Sequence, residues 1–333
     1  MRVALYDVDS KIPNLALMKL ATHHKSRGDT VEPYSPLEKF LYDKIYASKI
    51  FNFSDGSMLD PDVMDIGGTG YDMTRELPAD IEALTPDYTL YQYPHNIGFT
   101  MRGCRLRCSF CVVPEKEGRP RTESTIEEIW TQRDSDFVVL LDNDFFGNPE
   151  WQERIEEIKH YDLRVNFNQG LNIRNLKLEQ AEAIASVKYS NLGGTGKQIH
   201  FAWDDPRHEK LIHKGIAIAK AAGIKTYRMA FYVLIGYHST PEEDRHRVEV
   251  LRGYGCDPYA MPYNKSDPYQ MMFARWVNHK ALFNTVPWEQ YHGSRKTVER
   301  DCKTMELFGG SRWRVCSGFW PGFCLESTPN EGQ

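Results

Sequence analysis

The sequence predicts an α/β protein in which parallel strands alternate with helices, in two consecutive blocks. Three observations predict it. Between residues 96 and 262, six short apolar runs alternate with five stretches of helical apolar spacing. One of those runs, Phe137-Val-Val-Leu-Leu141, is apolar at every position, the pattern of a strand covered on both faces. A shorter alternation of the same kind fills residues 1–70. Right-handed crossovers curl a series of six such strands into a barrel or part of one.

The elements follow in order. Residues 2–6 read as a strand. Residues 14–21 read as a helix that Gly28 closes, and 44–51 as a second strong strand. Asp65-Ile-Gly67-Gly68-Thr-Gly70 reads as a glycine-rich turn, so the first block is β-α-β-α-β in style. Residues 77–95, with prolines at 78, 86 and 94, read as a linker. In the second block the expected strands are 96–102, 137–141, 164–169, 198–203, 225–234 and 257–262. The expected helices are 125–132, 149–160, 178–186, 208–222 and 241–253. No further strand–helix alternation is visible beyond residue 262. Residues 266–333 hold Trp276, Trp288, Trp313 and Trp320 and three cysteines, and read as a cap.

Composition narrows the class. At 333 residues the chain is long enough for two domains, and 41% hydrophobic content supports a substantial core. No apolar run reaches the ~20 residues of a membrane span. A net charge of −5 gives no global basic field for nucleic acid. The N-terminus does not read as a signal peptide, so a reducing, cytoplasmic setting is expected.

Three cysteines are close together in Gly103-Cys104-Arg-Leu-Arg-Cys108-Ser-Phe110-Cys111-Val-Val-Pro, spaced C-x3-C-x2-C. Three thiolates this close can converge on a soft metal centre. A disulfide does not suit the expected compartment. Structural zinc wants a second ligand pair, and none is near, His95 and His160 being the nearest histidines. A [4Fe–4S] cluster takes four thiolates, so three leave one iron for a ligand that is not protein.

The motif, with an aromatic residue before its third cysteine, resembles the signature of the radical S-adenosylmethionine (SAM) superfamily. In motif style it is closest to members carrying an N-terminal cobalamin-binding-type domain. The resemblance implies a partial (β/α)6 TIM-like barrel at 96–265. Before it come a small Rossmann-like or flavodoxin-like α/β domain at 1–78 and a linker at 79–95; a C-terminal aromatic-rich cap follows at 266–333. It implies that Cys104, Cys108 and Cys111 hold the cluster, and that SAM binds the open iron through its amino and carboxylate groups. It also implies an oxygen-sensitive enzyme that makes a 5′-deoxyadenosyl radical and takes electrons from an external donor of flavodoxin or ferredoxin type.

Further site residues follow at the ends of successive strands, where such barrels do their chemistry. Asp142-Asn143-Asp144-Phe145 stands where the family has a Gly-Gly-Glu-like motif. Asp142 is the expected contact for the SAM ammonium, with Asn143 beside it; the alternative is a turn. Asn168, Gln169 and Arg174 are expected at the ribose or carboxylate, Arg174 bidentately. Asp204 suits ribose hydroxyls or a helix cap equally. Ile235 and Gly236 match part of a Gly-x-Ile-x-Gly motif that packs on adenine, and Tyr263 follows as a backbone contact. Phe110 belongs to the cysteine motif itself. The basic residues around the cysteines offset an anionic cluster.

Cys-Ser-Phe-Cys-Val-Val-Pro followed by Gly-Arg-Pro-Arg also resembles methylthiotransferases, whose second cluster uses N-terminal cysteines. No cysteine precedes Cys104 here. Cobalamin is not expected, because the Asp-x-His-x-x-Gly ligand motif is absent. A second iron–sulfur cluster on Cys256, Cys302, Cys316 and Cys324 is not expected, because they lack a close pair. Two other functions stay open. A tRNA-type nucleic-acid-modifying enzyme would use residues 271–316, with eight Arg/Lys against four Asp/Glu and stacking tryptophans. A non-catalytic iron–sulfur sensor would have no turnover. The substrate is not legible.

Overall fold

The computed structural model describes residues 1–291 and the strands Cys302–Glu306 and Arg312–Cys316. The chain divides into two compact units, Met1–Tyr263 and Asn264–Gln333.

The first unit is mixed α/β and its larger sheets are parallel. It opens with β1 (Arg2–Asp7), α1 (Leu15–Ser26), β2 (Thr30–Pro33), β3 (Lys44–Ser48) and β4 (Met64–Gly67). These strands form one parallel sheet in the order β2-β1-β3-β4. The two-residue period of β1 explains its packing. Val3 and Leu5 meet Leu17, Leu20 and Ala21 of α1, whereas Ala4 meets Ile45, Ala47 and Ile66. Asn14 caps α1 by accepting from the Leu17 amide. Two strands were hidden from the sequence reading. β2 is an edge strand ending in a proline, and β4 runs into the glycine turn. Within the expected linker lies α2 (Ala79–Glu82).

The second series runs β5 (Asn96–Gly98), β6 (Met101–Arg102), α3 (Val113–Lys116), β7 (Arg121–Thr122) and α4 (Ile126–Ile129). It continues with β8 (Phe137–Leu140), α5 (Trp151–His160), β9 (Arg164–Phe167), α6 (Leu178–Ser186) and β10 (Lys188–Tyr189). It ends with β11 (Ile199–Ala202), α7 (Glu209–Ala221), β12 (Met229–Ile235), α8 (Pro241–Gly253) and β13 (Asp257–Pro262). β10-β9-β8-β5 form one parallel sheet and β11-β12-β13 another. A parallel bridge from Leu171 to Phe201 links the β9 end to β11. β8 is buried at every position, as its composition requires.

Two expected elements divide differently. The strand foreseen at 96–102 breaks after Gly98, and Met101–Arg102 pairs antiparallel with β7 instead. The break is held by Asp142, which accepts from the amides of Thr100 and Met101. The strand foreseen at 225–234 starts at Met229, because Thr226–Arg228 is a 3-10 turn.

In the second unit, α9 (Pro268–Asn278) and α10 (Lys280–Thr285) carry a packed aromatic cluster. Trp276 is fully buried, its ring 5.4 Å from that of Trp288, and its indole donates to the Val286 carbonyl at 2.8 Å. Trp276 is therefore core, and the half-buried Trp288 packs on it. β14 (Cys302–Glu306) and β15 (Arg312–Cys316) pair antiparallel. Trp320 and Cys324 lie outside the described residues, as do the side chains of Cys302, Trp313 and Cys316. No described helix is long and apolar enough to cross a membrane.

Candidate active site

The three cysteines lie on the loop between β6 and β7, beyond the C-terminal end of β5. Gly103 opens the loop at φ +81°, where a Cβ would sit 2.3 Å from the Arg119 carbonyl, so only glycine fits. The Cys104 amide donates to the Gly118 carbonyl at 3.3 Å, which closes the loop on itself. The Cys111 amide donates to the Cys108 carbonyl at 3.0 Å, and the Leu106 amide to Cys104 Sγ at 3.4 Å. All three thiols are half-buried. Burial pushes Cys104 up to about 11 and raises Cys111 as well, against the pull of local amides. A thiophilic metal reverses that preference, since a coordinating thiol is deprotonated outright.

The three cysteines are a soft donor set, suited to a thiophilic centre. Among the described residues, no group of three His, Cys, Asp or Glu is arranged to hold a single metal ion.

The acids after β8 hold the loop rather than face open space. Asp142 is buried; one oxygen accepts from the Thr100 amide at 2.7 Å and the Met101 amide at 3.2 Å, and the other from the Thr100 hydroxyl. Burial pushes its carboxyl up to about 7, against those three donations. Asn143 donates to Glu117 at 3.0 Å. Asp144 is buried and receives Arg105 through Nε at 2.6 Å, Nη2 at 2.8 Å and the backbone amide at 3.2 Å. Arg105 is thus a clamp on the cysteine loop that spacing alone does not reveal.

A cavity of about 250 Å³ opens beside the loop, and Cys108, Phe110, Arg174, Asp204, His208 and Tyr237 are among its lining residues. Arg174 follows β9 and makes no ion pair among the described residues; its Nη1 lies 3.2 Å from His208 Nδ1 and its Nη2 4.0 Å from Cys108 Sγ. Asp204 follows β11. Burial raises its carboxyl, while the Leu234 amide, Arg174 and Arg247 pull it back. Phe110 packs edge-on against Tyr237, with ring centroids 5.5 Å apart, and the Tyr237 hydroxyl donates to Ser109 at 2.8 Å.

Other expected residues stand apart from this cavity. Asn168 uses its carbonyl to accept from the Tyr232 hydroxyl, and Gln169 is exposed. Ile235 is fully buried and its carbonyl accepts from the Tyr263 amide. The Gly236 amide donates to Ser239 and Asp244. Tyr263 is exposed, its ring 4.7 Å from Tyr237. His208 and Tyr237 were not singled out from sequence, although each follows a strand end as the expected residues do.

Behind the cavity lies a fully buried ion pair. Arg247 donates to the carbonyls of Trp203 at 2.8 Å and Leu234 at 2.9 Å and pairs with Asp244. Asp244 in turn holds Gly236 and Ser239. One pair therefore fixes the ends of β11 and β12 and the loop bearing Tyr237.

No family model matches the chain. A 101-residue stretch is 27% identical to a CDK5RAP1-like protein from Oryza sativa subsp. japonica, covering 28% of this chain and 17% of that protein. Among solved structures, the chain resembles apo OxsB, a cobalamin-dependent S-adenosylmethionine radical enzyme. The TM-score is 0.50 at 13% identity, over 85% of this chain and 56% of that one. The chain thus shares its fold with a radical SAM enzyme while spanning about half of that enzyme's length. The likeness lends no support to the expectation that cobalamin is not used.

Proposed function

We propose that the protein is a radical SAM enzyme. The observation that carries the reading is the joint placement of the cysteine loop, Arg174 and Asp204. Cys104, Cys108 and Cys111 follow β5, the first of seven parallel strands in two sheets, and Cys108 shares its cavity with both charged residues. These strands are read as the partial barrel such enzymes use. Its likeness in fold to OxsB supports the reading.

In this reading the three cysteines hold a [4Fe–4S] cluster. When bound and reduced by an external donor, the cluster cleaves SAM to give a 5′-deoxyadenosyl radical. Arg174, which makes no ion pair among the described residues, pairs with the SAM carboxylate. Asp204 accepts from the ribose hydroxyls, and Phe110 with Tyr237 shields the site from water. Asp142 has its oxygens engaged in the protein; its proposed role is to shape the loop, which displaces it from the ammonium contact.

Anaerobic reconstitution tests the reading. About four irons per chain are expected, with release of 5′-deoxyadenosine when SAM and dithionite are added. The triple variant C104A/C108A/C111A should lose both. Stoichiometric zinc in natively purified protein would overturn the cluster. Iron without 5′-deoxyadenosine would point to the sensor.

A further inference from the structure

We propose that residues 1–95 brace the cysteine loop directly, with Glu82, Arg102 and Glu117 as positioning residues and no cobalamin between the two. The proposal rests on the cluster reading only for what the loop carries.

The fold likeness makes cobalamin the group to test. In an open parallel sheet, ligands bind beyond the strands' carboxyl ends where strand order reverses. In the order β2-β1-β3-β4 that point lies between β1 and β3. The chain's own side chains stitch it shut. Asp7, ending β1, accepts from the Ser10 amide at 3.0 Å and the Tyr91 hydroxyl at 2.6 Å. Asp9 reaches across and accepts from the amides of Ile50 and Phe51, each at 2.8 Å. Asn14 donates to Ser48, at the end of β3, at 2.9 Å.

Space among the described residues lies to one side of that point. A cleft of about 500 Å³ borders the ends of β3 and β4, with Leu17, Leu20 and Ile81 among its apolar residues. That volume suits a drug-sized ligand, about 300–1,000 Å³. A corrinoid is several times heavier than such ligands, and no histidine is among the described lining residues. The residues do not fit the group.

The polar part of the cleft is instead a continuous chain of bonds into the cysteine loop. Lys19 of α1 pairs with Glu82 at 2.7 Å. Glu82 pairs with Arg102 at 3.4 Å, and Arg102 with Glu117 at 3.3 Å. Glu117 then accepts from the amide of Gly103, the residue before Cys104, at 2.8 Å and from Asn143 at 3.0 Å. Arg102 also stacks on Phe99, its guanidinium carbon 3.6 Å from the ring centroid. A second tie runs from Lys116 to the Arg75 carbonyl at 2.7 Å, and Arg75 pairs with Asp65. The four side chains of the relay are only 14–35% exposed, so their charges are partly shielded from water. A connected network of this kind holds geometry better than isolated surface pairs.

Hydrogen–deuterium exchange of the full-length protein without cluster tests the brace, read on peptides spanning residues 103–118. Glu82→Ala, which removes the acceptor of Lys19 and Arg102 far from the cysteines, should speed exchange there about tenfold, the loss of one charged hydrogen bond. Glu117→Ala should do at least as much, and Glu117→Gln, which keeps an acceptor for Gly103, should restore most of the protection. Should Glu117→Ala fail to fold by circular dichroism, Glu82→Ala carries the test, because its side chain is a third exposed. Unchanged exchange in folded Glu82→Ala overturns the brace. Hydroxocobalamin mixed with the wild-type protein should not co-elute on gel filtration; retention of about one per chain overturns the proposal as well. Failure of the wild type to hold iron would sink the cluster reading and leave the exchange result standing.

Discussion

The cleft of about 500 Å³ beside the N-terminal sheet and the cavity of about 250 Å³ beside Cys108 are both bordered by the cysteine loop, and they use charge differently. In the first, Glu82, Arg102 and Glu117 are bound to one another and to backbone. In the second, Arg174 lies beside His208, Asn172 and the Cys108 thiol and acts on Asp204 through charge, without a carboxylate hydrogen bond among the described residues, and Asp204 accepts one backbone bond. Both clefts stand at the C-terminal ends of parallel strands, the usual place for ligands in such sheets. Position alone therefore does not make a site. What separates the two is whether the charged groups have already been satisfied by the protein.

The largest expected effect sharpens the contrast from behind the cavity. Arg247→Met removes one partner of a fully buried pair, leaving the Asp244 carboxylate without its buried counter-charge and removing the donor to two strand-end carbonyls. A loss of about 3–5 kcal/mol in urea-unfolding stability is expected. A loss below 1 kcal/mol would mean that the rim is held by apolar packing alone.

Next comes the open cation itself. Arg174→Met should weaken SAM binding about ten- to hundredfold, roughly the value of one charged hydrogen bond, with iron content and stability preserved. Calorimetric titration of the reconstituted protein checks it. Unchanged affinity would erase the distinction between the clefts.

The smallest effect is in the pH dependence. Asp142, raised to about 7 by burial, stabilises the fold below pH 4, and that contribution is lost as pH rises to 7. His200, lowered to about 4 by burial, contributes above pH 6.5 and is lost as pH falls to 4. The two offset each other in the wild type. Relative to Asp142→Asn, the wild type should lose stability from pH 4 to 7. Relative to His200→Phe, it should lose stability from pH 6.5 to 4. Urea midpoints at the two ends of the range check both signs.

Much of the fold was legible because apolar runs obey simple periods. α6, α8 and β13 stand where spacing put them. Edges were less legible: β2 carries a proline, and β10 is two residues long. Cysteine spacing announced the loop, since chemistry and sequence distance coincide there. Arg174 and Asp204 reach the same cavity because each follows a strand end. Asp142 shows the limit. An acid after the second strand was the right kind of residue, but only the fold reveals that Thr100 and Met101 turn back to claim it. The relay from Lys19 to Gly103 spans 84 positions and leaves no local pattern to read.

The Leu171–Phe201 bridge has a consequence for how the molecule adapts. A continuous ladder locks all its strands to one register, so widening it means unpicking many bonds together. Here the ladder changes hands between β9 and β11, where β10 and the glycine-rich loop 190–197 intervene. At that seam the Leu171 amide donates to the His200 carbonyl at 2.7 Å, so the alignment of the two sheets hangs on a short backbone bridge, whereas the cysteine loop is anchored on β5 at the opposite edge of its sheet.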